Sequence, residues 1–132
     1  MSRENVESAR TGYQAWNEGD LERQLATVHP DFEWVTSGVF PGLEPVYRGH
    51  AGYRKFWQDF RGTFESLHIE VEQLRDCGDR VVALLTFQAT GRDGVKVGRQ
   101  AANVISYRDG LTVRIEAYGE WADALEAVGL SE

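Results

Sequence analysis

The stretch from Val95 to Glu120 constrains the fold of this chain more than any other. It consists of two alternating segments that meet at Arg108-Asp109-Gly110, and an Asp-Gly step between such segments is a strong signal for a β-hairpin. The alternation of the second arm predicts an apolar face formed by Leu111, Val113, Ile115 and Ala117. We therefore expect two long antiparallel strands that contribute to the core.

The first arm of this hairpin carries polar side chains on its predicted core face. The apolar members of that face are Val95, Val97, Ala101, Ile105 and Tyr107. Arg99 and Asn103 alternate onto the same face, and buried polar groups must be hydrogen-bonded or must line a cavity. We therefore predict a pocket with Asn103 as its first candidate. Arg99 either reaches into this pocket or lies in water at the strand end.

The composition limits the class of protein and its partners. With 132 residues, 42% of them hydrophobic, we expect one globular domain over residues 1–132. A net charge of −7 argues against nucleic acid or an anionic membrane as a partner, since both require a basic face. One cysteine and three scattered histidines form no zinc motif, so neither a metal nor a cofactor is expected. The absence of a signal core and of any apolar run near about 20 residues predicts a cytoplasmic protein.

Helical periodicity predicts four helices. The first covers residues 4–17. The inward residues of the second are Leu21, Leu25 and Val28, and it should end at His29-Pro30 because proline disfavours helix in the residue before it. Gly49-His50 opens a third helix with an aromatic face of Tyr53, Phe56, Trp57, Phe60 and, at its end, Phe64. A short closing helix presents Trp121, Leu125 and Val128.

Strands are predicted over residues 32–36, 67–72 and 80–90 as well as in the hairpin. A loop from Ser37 to Arg48 follows the first strand, and loops of this length in small domains are often functional. Strands joined by Asp-Gly turns indicate an antiparallel meander with helices on one face. The expected architecture is α+β, with a curved antiparallel sheet whose concave face packs against helices and encloses a cone.

Four motifs give the chain a resemblance to the NTF2-like superfamily. They are Y-Q-A-W-N-E-G-D-L-E at 13–22, H-P-D-F-E-W at 29–34, Y-R-G-H-A-G-Y-R-K-F-W at 47–57 and N-V-I-S-Y-R-D-G-L-T-V-R-I-E-A-Y at 103–118. The chain resembles in particular the SnoaL-like group, which is related to polyketide cyclases and ketosteroid isomerase. The resemblance covers essentially the whole chain and implies a cone-shaped NTF2-like fold. It implies less about function, because the superfamily holds isomerases, cyclases, hydrolases and non-enzymes.

The same resemblance implies only part of an isomerase site. Thr36 stands where steroid isomerases have their aspartate base, and threonine cannot abstract a carbon-bound proton unaided. Asn103 stands where they have a protonated aspartate, and its amide can still donate a hydrogen bond to a developing enolate. Tyr13 corresponds to the tyrosine that shares this oxyanion hole. Near Arg99, Ala101 replaces an aspartate of the related epoxide hydrolases, so the general base is unassigned.

Six residues are expected to contact a ligand: Trp34, Thr36, Phe40, Tyr53, Trp57 and Arg99. Of the aromatic residues, Trp34, beside the long loop, is the one that we most expect to contact the ligand. The aromatic face of the third helix has plain core packing as its alternative role. Glu33 and Glu116 are predicted on the opposite strand faces. His50 becomes a candidate acid or base only if the loop folds over it.

Three functions remain open at this level. The first is an isomerase or cyclase-type enzyme acting on a small apolar carbonyl compound, with Asn103 and Tyr13 stabilising an enolate-like oxygen. The second is ligand binding without catalysis in the same pocket, and the third is an interaction module.

A homodimer through the convex sheet face is expected, because small residues there suit packing against a second copy. These residues are Gly98, Gln100, Ala102, Val104 and Ser106.

Overall fold

The computed structural model describes residues 3–40 and 42–130, which form four helices and one six-stranded sheet. The elements in chain order are α1 (Arg3–Glu18), α2 (Leu21–Leu25), β1 (Val28–Val35), β2 (Val46–Arg48), α3 (Gly49–Arg61), β3 (Phe64–Asp76), β4 (Arg80–Gly91), β5 (Lys96–Arg108), β6 (Leu111–Tyr118) and α4 (Trp121–Ala127). The strands lie in the order β2-β1-β6-β5-β4-β3, and the sheet is curved and unclosed. The predicted α+β class is confirmed.

The hairpin that dominates the sequence joins β5 to β6. Asp109 and Gly110 both have positive φ angles, 55° and 78°, as a two-residue turn with the twist of the flanking strands requires. Each consecutive pair from β3 to β6 is antiparallel, which is the predicted meander.

The other edge of the sheet differs from the expected antiparallel pattern. β1 pairs with β6 in parallel, and β2 pairs antiparallel with the outer side of β1. The second helix ends at Leu25, so Val28 and Pro30 belong to β1 instead of the helix that was expected to include Val28. The register between β1 and β6 shifts between Val28 and Glu33, and such an irregularity accommodates a proline, which has no N–H to donate to the sheet.

One β-bulge changes which residues of β6 face the core. The register shifts between Ser106 and Tyr107, so that Tyr107 opposes Thr112 while Ser106 opposes Arg114. Val113 is the additional residue, and an additional residue reverses the alternation on one side of the bulge. The predicted apolar face of the second arm is therefore wrong at its beginning, where Thr112 is buried instead.

The main core lies on the concave side of the sheet, where α1 and α3 pack. Its sheet residues include Val81, Ala83, Leu85, Ala101 and Ile105. The first residues of β5 do not belong to this core. Val97 is 47% exposed, and Val95, which precedes the strand, is 57% exposed.

A second apolar cluster lies on the convex side, beneath α4. Val82, Leu84, Ala102 and Val104 pack there against Ala124 and Leu125 of α4. Two of the five small residues that suggested a dimer face, Ala102 and Val104, are therefore 0% and 3% exposed under the chain's own helix. The expectation that the helices pack on the concave face is wrong for α4, and a homodimer stays a prediction with less apolar surface to support it.

Candidate functional site

A cavity lies between the concave face of the sheet and helices α1, α2 and α3. The volume open to the centre of a water molecule is about 80 Å³, and one water needs roughly 10–15 Å³ of such space. The cavity therefore has room for several waters or for a small organic molecule. One part of its wall is aromatic, formed by Trp16, Trp34, Phe40, Phe56, Phe60 and Phe87.

Asn103 and Tyr13 meet in the wall of this cavity, as the sequence suggested. Asn103 is 7% exposed, and its Nδ2 donates a hydrogen bond of 2.8 Å to the hydroxyl oxygen of Tyr13. Burial raises the pKa of Tyr13, and the hydrogen bond from Asn103 opposes that rise only in part. Tyr13 is therefore neutral at physiological pH, and its hydroxyl proton can be donated to a ligand.

Thr36 lines the cavity but its hydroxyl is committed to the protein. The side chain is 3% exposed, and Oγ1 donates to the carbonyl oxygen of Glu44 at 2.6 Å. The backbone N–H of Thr36 donates to Pro45 at 3.1 Å. Thr36 thus holds together the two ends of the loop that follows β1.

Trp34 and Trp16 bring polar atoms to the cavity that have no partner. Trp34 is 7% exposed and packs edge-on against Phe56, with ring centroids 4.8 Å apart. Its indole nitrogen, like that of Trp16, has no hydrogen-bond partner among the described residues. Trp16 was not predicted at the site, although its helical spacing from Tyr13 was a signal that could have placed it there.

Tyr53 also lines the cavity, and its hydroxyl donates to the side-chain oxygen of Gln24. Gln24 in turn donates to the carbonyl oxygen of Gly12, which links α2 to α1 and α3. Burial raises the pKa of Tyr53. Gln24 was missed from the sequence, although it lies three residues after Leu21 and so at an inward position of α2.

Phe40 closes the cavity from the loop, whereas Arg99 stays outside it. The Phe40 ring lies 5.0 Å from the rings of both Phe60 and Phe87. The Arg99 guanidinium lies 5.0 Å from the Phe40 ring centroid and donates to the carbonyl oxygen of Val39 at 2.6 Å. Arg99 is not among the residues that line the cavity, so the expected ligand contact is instead a contact to the loop.

Trp57 likewise does not line the cavity. It follows Phe56 on α3 and therefore points about 100° away from it around the helix. Its ring packs edge-on against Trp16 at 4.8 Å, and the Arg61 guanidinium lies 4.8 Å from its centroid. Trp57 supports the cavity wall from behind, because Trp16 stands between it and the interior.

A group of polar residues lines another part of the wall: Ser8, Thr27, Tyr107 and Thr112. Burial raises the pKa of Tyr107 to about 12, although hydrogen bonds with Thr112 and Ser8 oppose the rise. The bulge in β6 turns Thr112 inward. Sequence alternation alone could not reveal this group, since it placed Thr112 on the opposite face.

The cavity wall has no charged side chain among the described residues that line it. Glu33 and Glu116 are both held by Arg114, at 2.7 and 3.4 Å, on the opposite side of the sheet as predicted. Nε2 of His50 lies 2.8 Å from the carbonyl oxygen of Val28 and does not reach the cavity. The described lining residues thus place no carboxylate or imidazole at the cavity as a general base.

The described ranges contain neither a metal cluster nor a membrane-spanning helix. Among residues 3–40 and 42–130, no three histidine, cysteine, aspartate or glutamate side chains cluster as metal ligands would. No helix in the same ranges combines the length and the apolar character that a membrane span requires.

Solved structures with the same fold cover nearly the whole chain. TerC, crystallised with polyporic acid, is 26% identical with a TM-score of 0.81, covering 95% of this chain and 98% of its own. An NTF2-like protein of unknown function from Burkholderia pseudomallei is 23% identical with a TM-score of 0.83, covering 98% and 99%. A protein with a ketosteroid isomerase-like fold from Catenulispora acidiphila is 14% identical with a TM-score of 0.75, covering 94% and 93%.

The comparison with curated proteins gave no match. The family profile described as the SnoaL-like domain matches residues 9–115, which include all the residues that line the cavity except Ser8 and Ala117. This match spans well over half of the sequence. The chain therefore belongs to the SnoaL-like domain family within the NTF2-like fold.

Proposed function

We propose that this protein binds a small, neutral, mostly apolar molecule that carries a carbonyl group. The observation that supports this most is the chemistry of the cavity wall, which combines aromatic surface and buried hydrogen-bond donors with no charged side chain among its described residues. Burying a charged ligand without a counter-charge is unfavourable. A neutral ligand is favoured for that reason.

The donors narrow the ligand further. The hydroxyl proton of Tyr13 and the indole N–H of Trp34 are available to an acceptor, and a carbonyl oxygen is a neutral acceptor that fits an otherwise apolar molecule. Aromatic walls and a small number of placed polar groups are typical of small-molecule sites. The related TerC was crystallised with polyporic acid, which is consistent with small-molecule binding in this fold.

The test uses 1-tetralone as a neutral carbonyl probe and isothermal titration calorimetry. We expect the wild-type protein to bind 1-tetralone and Ala101→Leu to lose that binding, because Ala101 is 2% exposed and lines the cavity. Gln100→Leu is the matched control, since it introduces the same side chain at the neighbouring, exposed position of β5. Equal affinity in both variants would show that the cavity is not the binding site.

The second candidate function is proton transfer or cyclisation of such a compound. The hydrogen bond between Asn103 and Tyr13 favours it, because donors fixed in a dry site can stabilise a developing enolate oxygen. The described residues that line the cavity include no carboxylate or imidazole as a base, so in this mechanism the substrate provides the proton acceptor itself. Asn103→Ala should then lower the turnover of every accepted substrate by roughly 100- to 1,000-fold, the effect of removing one such donor, with a smaller effect on binding. Unchanged turnover would remove Asn103 from the mechanism.

A further inference from the structure

The indole N–H groups of Trp16 and Trp34 are buried in residues that line the cavity, and neither has an acceptor among residues 3–40 and 42–130. Buried donors in native proteins nearly always have a partner, and an exception calls for an explanation such as a bound ligand or water. The two tryptophans are 4% and 7% exposed, so bulk water does not satisfy them. The cavity that both residues line is the space from which an acceptor can come.

The surroundings of the two rings differ. Trp16 is enclosed by Phe56, Trp57 and Phe60, and the Arg61 guanidinium lies 5.1 Å from its ring centroid. The described ring contact of Trp34 is with Phe56 alone. Among the described residues, Trp16 is therefore held by more aromatic packing than Trp34.

The position of Trp34 in the sheet separates it from the Asn103–Tyr13 pair. Trp34 on β1 pairs with Ile115 on β6, which pairs with Ile105 on β5. Asn103 lies two residues along β5 from Ile105, so its backbone is two strands away from that of Trp34. Two strand spacings and two residues along the strand separate these backbones by roughly 12 Å, a distance at which the two side chains can contact different parts of one small ligand.

We propose that Trp34 determines the specificity of this cavity by donating its indole N–H to a carbonyl oxygen of the ligand. This inference rests on the proposed function. It narrows the ligand to molecules that place a carbonyl oxygen beside Trp34 on β1, whether or not a second oxygen lies beside Tyr13 and Asn103. The ligand is thus selected by where its oxygen lies and not only by its apolar body.

The test compares 1-tetralone with tetralin, which has a methylene group in place of the carbonyl. Calorimetry on the wild-type protein should show tighter binding of 1-tetralone. Trp34→Phe removes the N–H but retains an aromatic ring, and it should reduce this preference by roughly three- to tenfold. A change in packing alters the affinities of both compounds. The ratio of the affinity for 1-tetralone to that for tetralin therefore reports on the carbonyl contact in each variant.

Trp16→Phe is the matched control, since it removes the other unpaired indole N–H at the same cavity. It should shift both affinities together and leave the preference intact. A preference retained in Trp34→Phe, or reduced as strongly in Trp16→Phe, overturns the role of Trp34 while leaving the proposed function standing. If the wild-type protein binds neither compound, the proposed function fails and the role of Trp34 fails with it.

A nitrogen-15 NMR titration gives a second readout. It uses only the wild-type protein, so its outcome does not depend on whether Trp34→Phe folds correctly. The indole N–H resonance of Trp34 should move when 1-tetralone is added, in the direction of a stronger hydrogen bond, and should not do so with tetralin. The same displacement with both compounds, or none with either bound ligand, contradicts the proposal.

Discussion

Nδ2 of Asn103 lies 2.8 Å from the hydroxyl oxygen of Tyr13, and this hydrogen bond joins the middle of β5 to α1. It is made in the wall of the cavity, where Asn103 is 7% exposed. Leaving one of two such groups without its partner costs about 1–3 kcal/mol. The bond therefore contributes to the stability of the cone.

We expect Asn103→Leu and Tyr13→Phe each to lower the free energy of unfolding by about 1–2 kcal/mol. The double variant should lose about 1 kcal/mol less than the sum of the two, because the second change removes a group that has already lost its partner. Urea unfolding of the four proteins measures this coupling. Tyr47→Phe combined with Asn103→Leu is the control pair, because the Tyr47 hydroxyl donates to Asp59 and β2 lies three strands away from β5, so the effects should add. Additivity in the first pair would contradict the hydrogen bond.

Arg99 is expected to hold the loop after β1 closed. Its guanidinium donates to Val39 and lies over Phe40, so Arg99→Ala should raise amide hydrogen exchange in residues 37–40 severalfold without changing exchange in β4. Arg92→Ala is the matched control, because Arg92 also donates to a backbone carbonyl, that of Gly62, but does not touch this loop. Mass spectrometry of exchanged peptides measures the effect. Equal exchange in the two variants would show that Arg99 does not restrain the loop.

Trp121 is expected to keep the convex face of the sheet covered. Its indole N–H donates to the carbonyl oxygens of Leu85 and Ala101, at 3.2 and 3.0 Å. Trp121→Ala should loosen α4, expose the convex cluster that includes Ala102 and Val104, and lower the free energy of unfolding by about 2–3 kcal/mol.

The consequence to measure is self-association, by light scattering coupled to size-exclusion chromatography. Trp121→Ala should form larger species than the wild-type protein at equal concentration, since exposed apolar patches favour association. Trp121→Phe, which keeps a ring over the sheet, is the control and should associate less. If the wild-type protein is itself a dimer and Trp121→Ala is a monomer, α4 belongs to the interface instead of covering the face.

The buried tyrosines should make the fold sensitive to alkali. Burial raises the pKa of Tyr107 to about 12, and it also raises the pKa values of Tyr13 and Tyr53. Below about pH 9 these tyrosines are protonated in both the folded and the unfolded state, so they do not change the free energy of unfolding. Above pH 10 the unfolded chain releases protons that the folded chain retains, so stability falls by up to about 1.4 kcal/mol per pH unit for each such tyrosine.

Urea unfolding between pH 8 and about pH 11 measures this slope. Tyr107→Phe should reduce the slope of unfolding free energy against pH by the contribution of one tyrosine. The contributions of Tyr13 and Tyr53 should remain. An unchanged slope would mean that Tyr107 ionises alike in both states.

Part of the site could be predicted from local pattern and part could not. Asn103 was predicted because it interrupts an apolar face of a strand, and that interruption is visible in a single segment. Trp57 was assigned to the cavity because it lies four residues after Tyr53 and three before Phe60, whereas the direction of each side chain depends on how α3 is rotated against the sheet. Thr112 was misassigned because a bulge is a property of two strands together.

The sequence by itself determined the hairpin, the class of fold and the polar interruption of β5, because alternation, helical spacing and turn chemistry act over a few neighbouring residues. The tertiary structure decided the parallel pairing of β1 with β6, the side of the sheet that α4 covers and the absence of charge from the described cavity wall. These features depend on contacts between segments far apart in the chain. Their energies are set by which surfaces meet, and no local pattern records that.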